Sequence, residues 1–344
     1  MPLRIILPAL SALLVSLMAL TAVEHATTTP SGSETATTTE SGKTTEKKKT
    51  KAEIEAEEAA AESKRLTTAG GTLLNSVVNI LCTPYKSAAV QGISGTGVII
   101  DPRGVILTVS HVAQTMLLQD YPKKGSLECV IRTGSPARDA YTAEIAYISP
   151  SWIAENPSTL SEDTPVGTGE NDFALLAITG SARGGALPSS FTYVPLSDYE
   201  PKKGEKLAIG SYAAQYLVSE EIRKDLYPTI VFDALTDHFT FNTNTADILS
   251  ISGTVAAQQG SSGGGIAASN GELVGLITTS SIKGDVTQHT LNAITPLHIR
   301  ASFEKDTGVD FDAYLTANSP QQLIDNFADE AEVLRSFLIR NLSR

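Results

Sequence analysis

The sequence predicts an all-β fold for the body of the chain, and three observations support this class. Short runs rich in apolar and β-branched residues recur from Leu73 onward, for example at residues 105–109 and 273–278. Gly, Pro, Asn and Asp separate these runs, which is typical of short strands joined by turns. No long helical pattern alternates with the runs, and this argues against a doubly wound α/β fold. We therefore expect an antiparallel sandwich or barrel system.

The length and composition exclude several other classes of protein. With 344 residues, of which 41% are apolar and 19% charged, the chain has ordinary globular values and room for about two domains. The formal net charge of −12 argues against a nucleic-acid-binding surface. Two cysteines and five histidines, with no HxxxH pair, do not suggest a metal site. We therefore expect neither a metal ion nor a nucleic-acid partner.

The N-terminal segment predicts export from the cytoplasm. Arg4 precedes an apolar run at residues 5–23, so residues 1–26 have the basic start and apolar stretch of a signal peptide. The same run approaches the length of about 20 residues that spans a bilayer. A cleaved signal peptide and a retained membrane anchor both stay open, and either places the remainder outside the cytoplasm. Residues 27–50 are rich in Ser and Thr, which predicts a disordered stalk.

Two helical segments are predicted on either side of the β-rich body. Residues 51–66 are rich in Ala and Glu, so we expect a charged, solvated helix, and the Gly70-Gly71 pair then ends it. The C-terminal segment, residues 313–344, is assigned to an amphipathic helix whose pattern covers residues 319–342, with Pro320 just inside its start. Its apolar residues recur at helical spacing: Leu323, Ile324, Phe327, Ala331, Leu334, Phe337 and Leu338. We expect this helix to pack on the body, and docking to a partner chain is the alternative.

Three candidate catalytic residues each lie at the end of a predicted strand. His111 follows two strands joined by a tight turn at residues 101–104. Asp172 precedes a hydrophobic strand at residues 173–178. Ser262 lies in a loop dense in glycine, where backbone N–H groups can converge on one point. Each of the three alone has an ordinary structural explanation.

The combination of the three residues indicates nucleophilic catalysis. A serine hydroxyl is a weak nucleophile at neutral pH and needs a base, and that base needs a carboxylate to orient it. The chain supplies the three groups in the order His111, Asp172, Ser262.

On these residues the sequence resembles the chymotrypsin/trypsin-like serine proteases, and it is more similar to bacterial HtrA-type trypsin-like domains than to digestive enzymes. Residues 108–113 (TVSHVA) match the family's T-A-A-H motif, residues 172–176 (DFALL) match D-[IFL]-A-L-[LI], and residues 260–264 (GSSGG) match G-[DN]-S-G-G. The resemblance covers about residues 72–305. It implies two antiparallel six-stranded β-barrels, with the protease domain at residues 67–312 and a C-terminal helix.

The resemblance also implies a role for each residue. His111 is the general base and then the general acid, Asp172 fixes its tautomer, and Ser262 attacks the scissile carbonyl. The backbone N–H groups of Gly260 and Ser262 form the oxyanion hole. The substrate is a polypeptide and the reaction needs no cofactor. The residues expected to line the substrate site are Ala256, Thr278, Thr279 and Ser280.

The sequence departs from the family pattern at several positions. Ser261 replaces the Asp or Asn before the nucleophile, which argues against activation by pairing with a new N-terminus. Ala256 stands where an Asp would select Lys or Arg, so we expect a preference for a small to medium apolar residue before the cut. Thr278 falls where the family often has a Ser that hydrogen-bonds the triad carboxylate. Few residues follow the region of resemblance, so we expect no peptide-binding regulatory domain. Cys82 and Cys129 either pair or stay as two buried thiols.

Two competing functions follow from the same residues. A protease-fold binding or scaffold protein with a latent or inactive triad would have one of the three residues out of place. An esterase using the same triad is the other candidate, but the sequence lacks the G-x-S-x-G elbow between a strand and a helix. An exported serine endopeptidase, secreted or tethered to the membrane, is the leading interpretation.

Overall fold

The computed structural model describes residues 49–342, except residues 86–89, 162–168, 215–216, 218, 242–244, 282–284 and 286–287. The predicted targeting segment and almost all of the predicted stalk lie outside the described residues. Within the described ranges, no helix is both long and apolar enough to cross a membrane.

Six antiparallel strands close the first barrel, which carries the predicted histidine and aspartate. The strands are β1 (Val77–Pro84), β2 (Ile93–Asp101), β3 (Val105–Thr108), β4 (Leu127–Thr133), β5 (Arg138–Ile148) and β6 (Ala174–Ser181). Around the barrel their order is β1-β2-β3-β6-β5-β4. Thr108 at the end of β3 pairs with Ala174 at the start of β6. This register brings the residues after β3 next to the residues before β6.

Seven strands form the second sheet, which carries the serine loop. They are β7 (Lys206–Ser211), β8 (Thr229–Ala234), β9 (Asp237–Phe239), β10 (Ile248–Ser252), β11 (Gly265–Ala267), β12 (Leu273–Ser281) and β13 (Thr290–Ile294). Their order is β8-β7-β11-β12-β13-β10-β9. The sequence predicted a six-stranded barrel here. The described strands instead leave β8 and β9 as sheet edges, because β9 is only three residues long and pairs with β10 alone.

The predicted all-β, chymotrypsin-like class is confirmed by the closed barrel, the second sheet and a C-terminal helix. Buried apolar side chains form one cluster inside the first barrel and beneath the helices around it. A second cluster fills the interior of the second sheet. The loops that carry the candidate catalytic residues lie where the two sheets meet, since Thr96 of β2 hydrogen-bonds the serine loop directly.

The first helix, α1 (Lys51–Ser76), is ten residues longer than the predicted helix at residues 51–66. Thr50 and Glu53 form a capping box at its start. The expectation that Gly70-Gly71 ends the helix is wrong. A Cβ at Gly70 would lie 2.8 Å from the Phe232 ring of β8, so the glycine lets the helix approach the second sheet closely. Packing on the sheet therefore overrides the weak helix propensity of glycine.

The other helices are short, apart from those after the last strand. They are α2 (Ser110–Ala113), α3 (Pro150–Glu155), α4 (Ser219–Asp225), α5 (Pro296–Thr307), α6 (Phe311–Ala317) and α7 (Pro320–Leu342). Short 3₁₀ turns occupy residues 114–118 and 159–161. The C-terminal helix α7 packs against β5 and β6 and buries Leu323, Phe327 and Leu338. The prediction that this helix packs on the body is confirmed, while α6 spans the predicted domain boundary at residue 312.

The two cysteines form a disulfide between neighbouring strands of the first barrel. Cys82 of β1 and Cys129 of β4 face each other in the antiparallel register. Of the two alternatives that the sequence left open, the structure has the paired one.

Candidate active site

The first barrel brings His111 and Asp172 together at one end. His111 lies on α2, directly after β3, and Asp172 directly precedes β6. Because β3 and β6 are neighbours, their adjoining ends place the two residues side by side. Ser110 strengthens this junction by donating its hydroxyl to the carbonyl oxygen of Phe173 at 2.7 Å.

Asp172 holds His111 through two hydrogen bonds. The His111 backbone N–H donates to Oδ1 at 3.0 Å, and Nδ1 lies 2.7 Å from Oδ2. The Asp172 side chain is only 4% exposed, so these donors compensate the cost of burying its carboxylate. An ionised carboxylate only accepts hydrogen bonds, so Nδ1 carries the proton. The other ring nitrogen, Nε2, is then the acceptor atom of the imidazole, and the described contacts include no hydrogen bond between it and the Ser262 hydroxyl.

The loop before Asp172 is fixed by contacts that the sequence analysis missed. Asn171 has a positive φ of 58°. Its side-chain oxygen accepts a hydrogen bond from the buried Ser302 hydroxyl of α5 at 2.6 Å. Asparagine tolerates the left-handed region better than most residues, and Asn171 is the only sequence signal for this turn. On the other side of the site, Trp152 of α3 packs with its ring centroid 6.5 Å from that of His111.

Two consecutive turns shape the serine loop. The first spans residues 258–261, closed by the Ser261 N–H on the Gln258 carbonyl at 3.2 Å, and has Gly260 at φ +85° in its third position. The second spans residues 261–264, closed by the Gly264 N–H on the Ser261 carbonyl at 2.8 Å. It has Gly263 at φ +83° in its third position. A positive φ at the third position is the signature of a type II turn.

Backbone hydrogen bonds fix the direction of each peptide in this loop. The Gln259 carbonyl accepts the Ala214 N–H at 2.8 Å. In a planar trans peptide the C=O and N–H point in opposite directions, so the Gly260 N–H points away from Ala214. The N–H groups of Ser261, Gly263 and Gly264 all donate to backbone carbonyls.

Within residues 260–264, the N–H groups of Gly260 and Ser262 have no hydrogen-bond acceptor in the described part of the chain. Two unpaired backbone donors beside a serine suit an incoming oxygen. Ser262 itself is half-buried. The neighbouring Ser261 hydroxyl is turned inward, 1% exposed, and donates to the Gln258 carbonyl. Ser261 is therefore a structural residue of the first turn.

Thr96 of β2 connects the serine loop to the first barrel. Its N–H donates to the Ser262 carbonyl at 2.8 Å, and its hydroxyl donates to the Gly260 carbonyl at 2.7 Å. The same hydroxyl accepts the Tyr212 N–H at 3.0 Å. The approach is so close that a Cβ at Gly263 would lie 1.9 Å from the Thr96 carbonyl oxygen. Thr96 stands between Gly95 and Gly97, but no sequence pattern singles it out as a contact of the serine loop.

The predicted substrate-site residues lie on β12 and, for Ala256, in a turn that follows β10. Beyond Leu276, β12 no longer pairs with β11, so among the described residues the edge at residues 278–280 is open on that side, while it stays paired with β13 on the other. Thr279 is half-buried and Ser280 is exposed. Ala256 is buried in the interior of the second sheet. Ala256 therefore brings no carboxylate to the position where an Asp would select Lys or Arg.

Thr278 does not make the hydrogen bond to Asp172 that the resemblance suggested. Its hydroxyl donates to the Asn292 carbonyl at 3.5 Å, and the hydrogen bonds that Asp172 accepts come from His111. A bulge at this point of β12 changes the pairing register with β13. Gly169 packs directly over the Thr278 hydroxyl, since a Cβ there would lie 2.6 Å from Oγ1. Among the described residues, no cluster of His, Cys, Asp and Glu could hold a metal ion.

Comparison with known proteins places the chain in a family. Residues 95–276, more than half of the chain, match the family model of the trypsin-like peptidase domain. No curated protein matches the chain. Among solved structures, the Rv3671c protease from M. tuberculosis in its active form is 16% identical, with a TM-score of 0.43, covering 70% of this chain and 84% of that one. Deg5 is 15% identical, with a TM-score of 0.43, covering 68% of this chain and 90% of its own. On the match of its central part, the chain belongs to the trypsin-like peptidase family.

Proposed function

We propose that the protein is a serine endopeptidase that hydrolyses peptide bonds through His111, Asp172 and Ser262. The observation that carries the proposal is the pair of hydrogen bonds from His111 to the buried Asp172. This pair leaves Nε2 as the basic atom of the imidazole, which is the state that a general base requires. The family membership of the chain supports the same reaction class.

In the first half of the proposed reaction, the His111 Nε2 accepts the proton of the Ser262 hydroxyl as its oxygen attacks the scissile carbonyl. The carbonyl oxygen becomes an oxyanion, and the free N–H groups of Gly260 and Ser262 donate to it. The imidazolium then returns its proton to the leaving amine, and the C–N bond breaks. An acyl-enzyme ester on Ser262 remains.

In the second half, water attacks the ester while His111 takes one proton from it. Collapse of the second tetrahedral intermediate releases the carboxylic acid and returns a proton to Ser262. Asp172 stays ionised throughout and stabilises the imidazolium in both halves. All the groups required belong to the protein, so the proposed cycle uses no cofactor.

The open edge of β12 is the proposed binding place for the substrate backbone. An extended peptide can add to a free strand edge by main-chain hydrogen bonds, with residues 278–280 as its partners. Ala256 brings no charge to the site, so we propose a small to medium apolar residue before the cut. Peptides with Ala, Val or Leu at that position should be cleaved faster than peptides with Lys, Arg or Asp. The reverse order would contradict the assignment of Ala256.

We propose that the protein acts outside the cytoplasm, secreted or tethered by its N-terminal segment. The Cys82–Cys129 disulfide supports this location, because disulfides persist in oxidising compartments. Cell fractionation of the full chain beside a variant lacking residues 1–26 tests the location. The full chain should be found in the membrane or extracytoplasmic fraction, and the shortened chain should stay in the cytoplasm. Cytoplasmic recovery of both would contradict export.

Fluorophosphonate labelling of the full chain tests the catalytic proposal. The probe reacts with a serine only when a base and an oxyanion hole activate it. We expect an adduct on Ser262, found by mass spectrometry, and no adduct in Ser262→Ala. Ser252→Ala removes an exposed hydroxyl at the end of β10 and should label like the parent. A folded parent that does not label would contradict the endopeptidase and favour the binding or scaffold protein with a latent or inactive triad.

A further inference from the structure

A depression of about 450 Å³ on the surface is lined by an excess of positive charge. We call it the arginine depression. Its charged residues are Arg132, Arg138, Arg183, Arg223, Lys224 and Asp139. They come from β4, β5, the loop after β6, and α4, so four separate elements contribute cations. This is notable on a chain whose formal net charge is −12.

Arg132 forms the buried part of the depression. Its side chain is 1% exposed and donates to the carbonyls of Ile222 and Arg223 on α4, at 2.9 and 2.7 Å. The Nε–H has no hydrogen-bond acceptor in the described part of the chain, although the Asp139 carboxylate lies 3.5 Å away. Burial lowers the pKa of Arg132, and the positive charges of Arg138 and Arg223 act in the same direction. The cations therefore lie close enough to repel one another.

Most of the positive charge in the depression is not compensated by acids. Lys224 pairs with Glu220 at 2.6 Å, and Asp139 faces Arg132. The guanidinium groups of Arg138, Arg183 and Arg223 have no carboxylate partner among the described residues, and their side chains are exposed. Three uncompensated guanidinium groups around one depression create a local positive field that attracts anions.

A purely structural explanation covers only part of this cluster. Arg132 and Arg138 donate to carbonyls at the end of α4, from Ile222, Arg223 and Lys224, and so hold that short helix in place. The hydrogen bonds of the described residues include none from the side chains of Arg183 and Arg223 to these carbonyls. Bringing two more cations to the same depression costs electrostatic energy, which a bound anion would offset.

We propose that the arginine depression binds a phosphate group. Guanidinium donors match the oxygens of phosphate and carboxylate in paired geometry. Three guanidinium groups offer more donors than the two oxygens of one carboxylate can accept, whereas a phosphate presents oxygens in three dimensions. The group can come from a soluble phosphate compound or from a phospholipid headgroup. The site lies outside the proposed catalytic residues and does not depend on their function.

Titration of the full chain with pyrophosphate, followed by calorimetry at about 0.15 M ionic strength, tests the proposal. We expect saturable binding with one site per chain. Arg183→Gln/Arg223→Gln should weaken the affinity by at least about tenfold, because two charged hydrogen bonds are lost. These substitutions keep the Arg223 carbonyl that Arg132 holds, so α4 should stay in place. The control Arg65→Gln/Arg340→Gln removes the same charge from exposed positions in α1 and α7.

Equal weakening in both double variants would mean non-specific attraction and would overturn the proposal. An absence of saturable pyrophosphate binding would rule out a soluble ligand and leave the lipid headgroup to a second arm of the test. In that arm, the full chain is sedimented with phosphatidylcholine vesicles that contain phosphatidylglycerol. A loss of sedimentation confined to Arg183→Gln/Arg223→Gln would assign the phosphate to a lipid headgroup. Binding of pyrophosphate without such a loss would assign it to a soluble compound. Failure in both arms would leave no phosphate site.

Discussion

The histidine half and the serine half of the proposed active site are held by different kinds of contact. His111 and Asp172 lie beside the adjoining ends of β3 and β6 in one closed barrel, and they hydrogen-bond to each other. Ser262 sits in a loop of the second sheet, where its position depends on backbone groups and on Thr96 from the other barrel. The first half depends on side-chain identity, and the second on backbone direction. Substitutions should therefore affect the two halves in different ways.

The largest effect should come from the histidine half. Asp172→Asn replaces an acceptor with an amide that can donate, so the tautomer of His111 is no longer fixed. We expect turnover to fall by about 10⁴-fold with the fold intact. Asp306→Asn is a matched control, since Asp306 accepts hydroxyl hydrogen bonds from Tyr147, Ser149 and Ser151 away from His111. Steady-state kinetics with a peptide substrate would decide, and near-normal turnover in Asp172→Asn would remove Asp172 from the proposed triad.

The second effect should come from the backbone of the serine half. Gly260→Ala places a Cβ at φ +85° and 3.0 Å from the Tyr212 carbonyl, which turns the Gly260 N–H away. Loss of one oxyanion donor should lower turnover by about 100-fold. Gly204→Ala imposes a similar strain at φ +84° with nothing within 4 Å, so it should cost stability alone. If the two variants turned over equally fast, the assignment of the Gly260 N–H would be wrong.

A smaller effect should show the connection between the two sheets. Thr96→Val keeps the side-chain shape but leaves the Gly260 carbonyl and the Tyr212 N–H without their hydroxyl partner. We expect the free energy of unfolding to fall by about 2 kcal/mol. Thr142→Val, whose exposed hydroxyl bonds only that of Thr179 among the described contacts, should change it by less than about 0.5 kcal/mol. Urea denaturation measures the free energy of unfolding of both variants. Equal losses would mean that the Thr96 hydroxyl does not stabilise the contact between the two sheets.

The smallest effect should appear on acidification, in the helix that supports the histidine half. Burial lowers the pKa of His298 on α5, although Asp247 acts against that shift. As the pH falls through about 6.5, the unfolded chain gains a proton that the folded chain resists, so stability decreases. His298→Gln should reduce this decrease, which for one proton is at most about 1.4 kcal/mol per pH unit. Urea denaturation at pH 7.5 and 5.5 would test it, and an unchanged pH dependence would contradict the role of His298.

The sequence predicts the residues of the proposed site better than it predicts the contacts around them. His111, Asp172 and Ser262 stand in local motifs, so their order and strand positions can be predicted without knowing the fold. The hydrogen bond from Thr96 to Gly260 joins residues 164 positions apart, and that from Ser302 to Asn171 spans 131. No local pattern encodes such pairs, because the donor residue in each is an ordinary Thr or Ser when its sequence neighbours alone are considered.

Long-range packing explains the errors in the fold prediction as well. Gly70 lies within α1 because Phe232, far away in the sequence, occupies the space beside it. The strands of the closed barrel were easier to predict, since their apolar, β-branched runs are long and buried. Short strands such as β9 carry too few residues for a pattern, so the number of strands in the second sheet could not be predicted.

The direct continuation of α1 into β1 has a mechanical consequence. Ser76 is the last residue of the helix and Val77 the first of the strand, so no slack separates them. Leu73 packs over Gly210 and Gly265 of the second sheet, while the strand that follows belongs to the first barrel. The buried residues of the helix all lie between Leu66 and Ser76, so the mostly exposed part before them, residues 51–65, is an arm about 22 Å long. A pull or twist applied at its far end would be transmitted to the junction between the two halves of the proposed site.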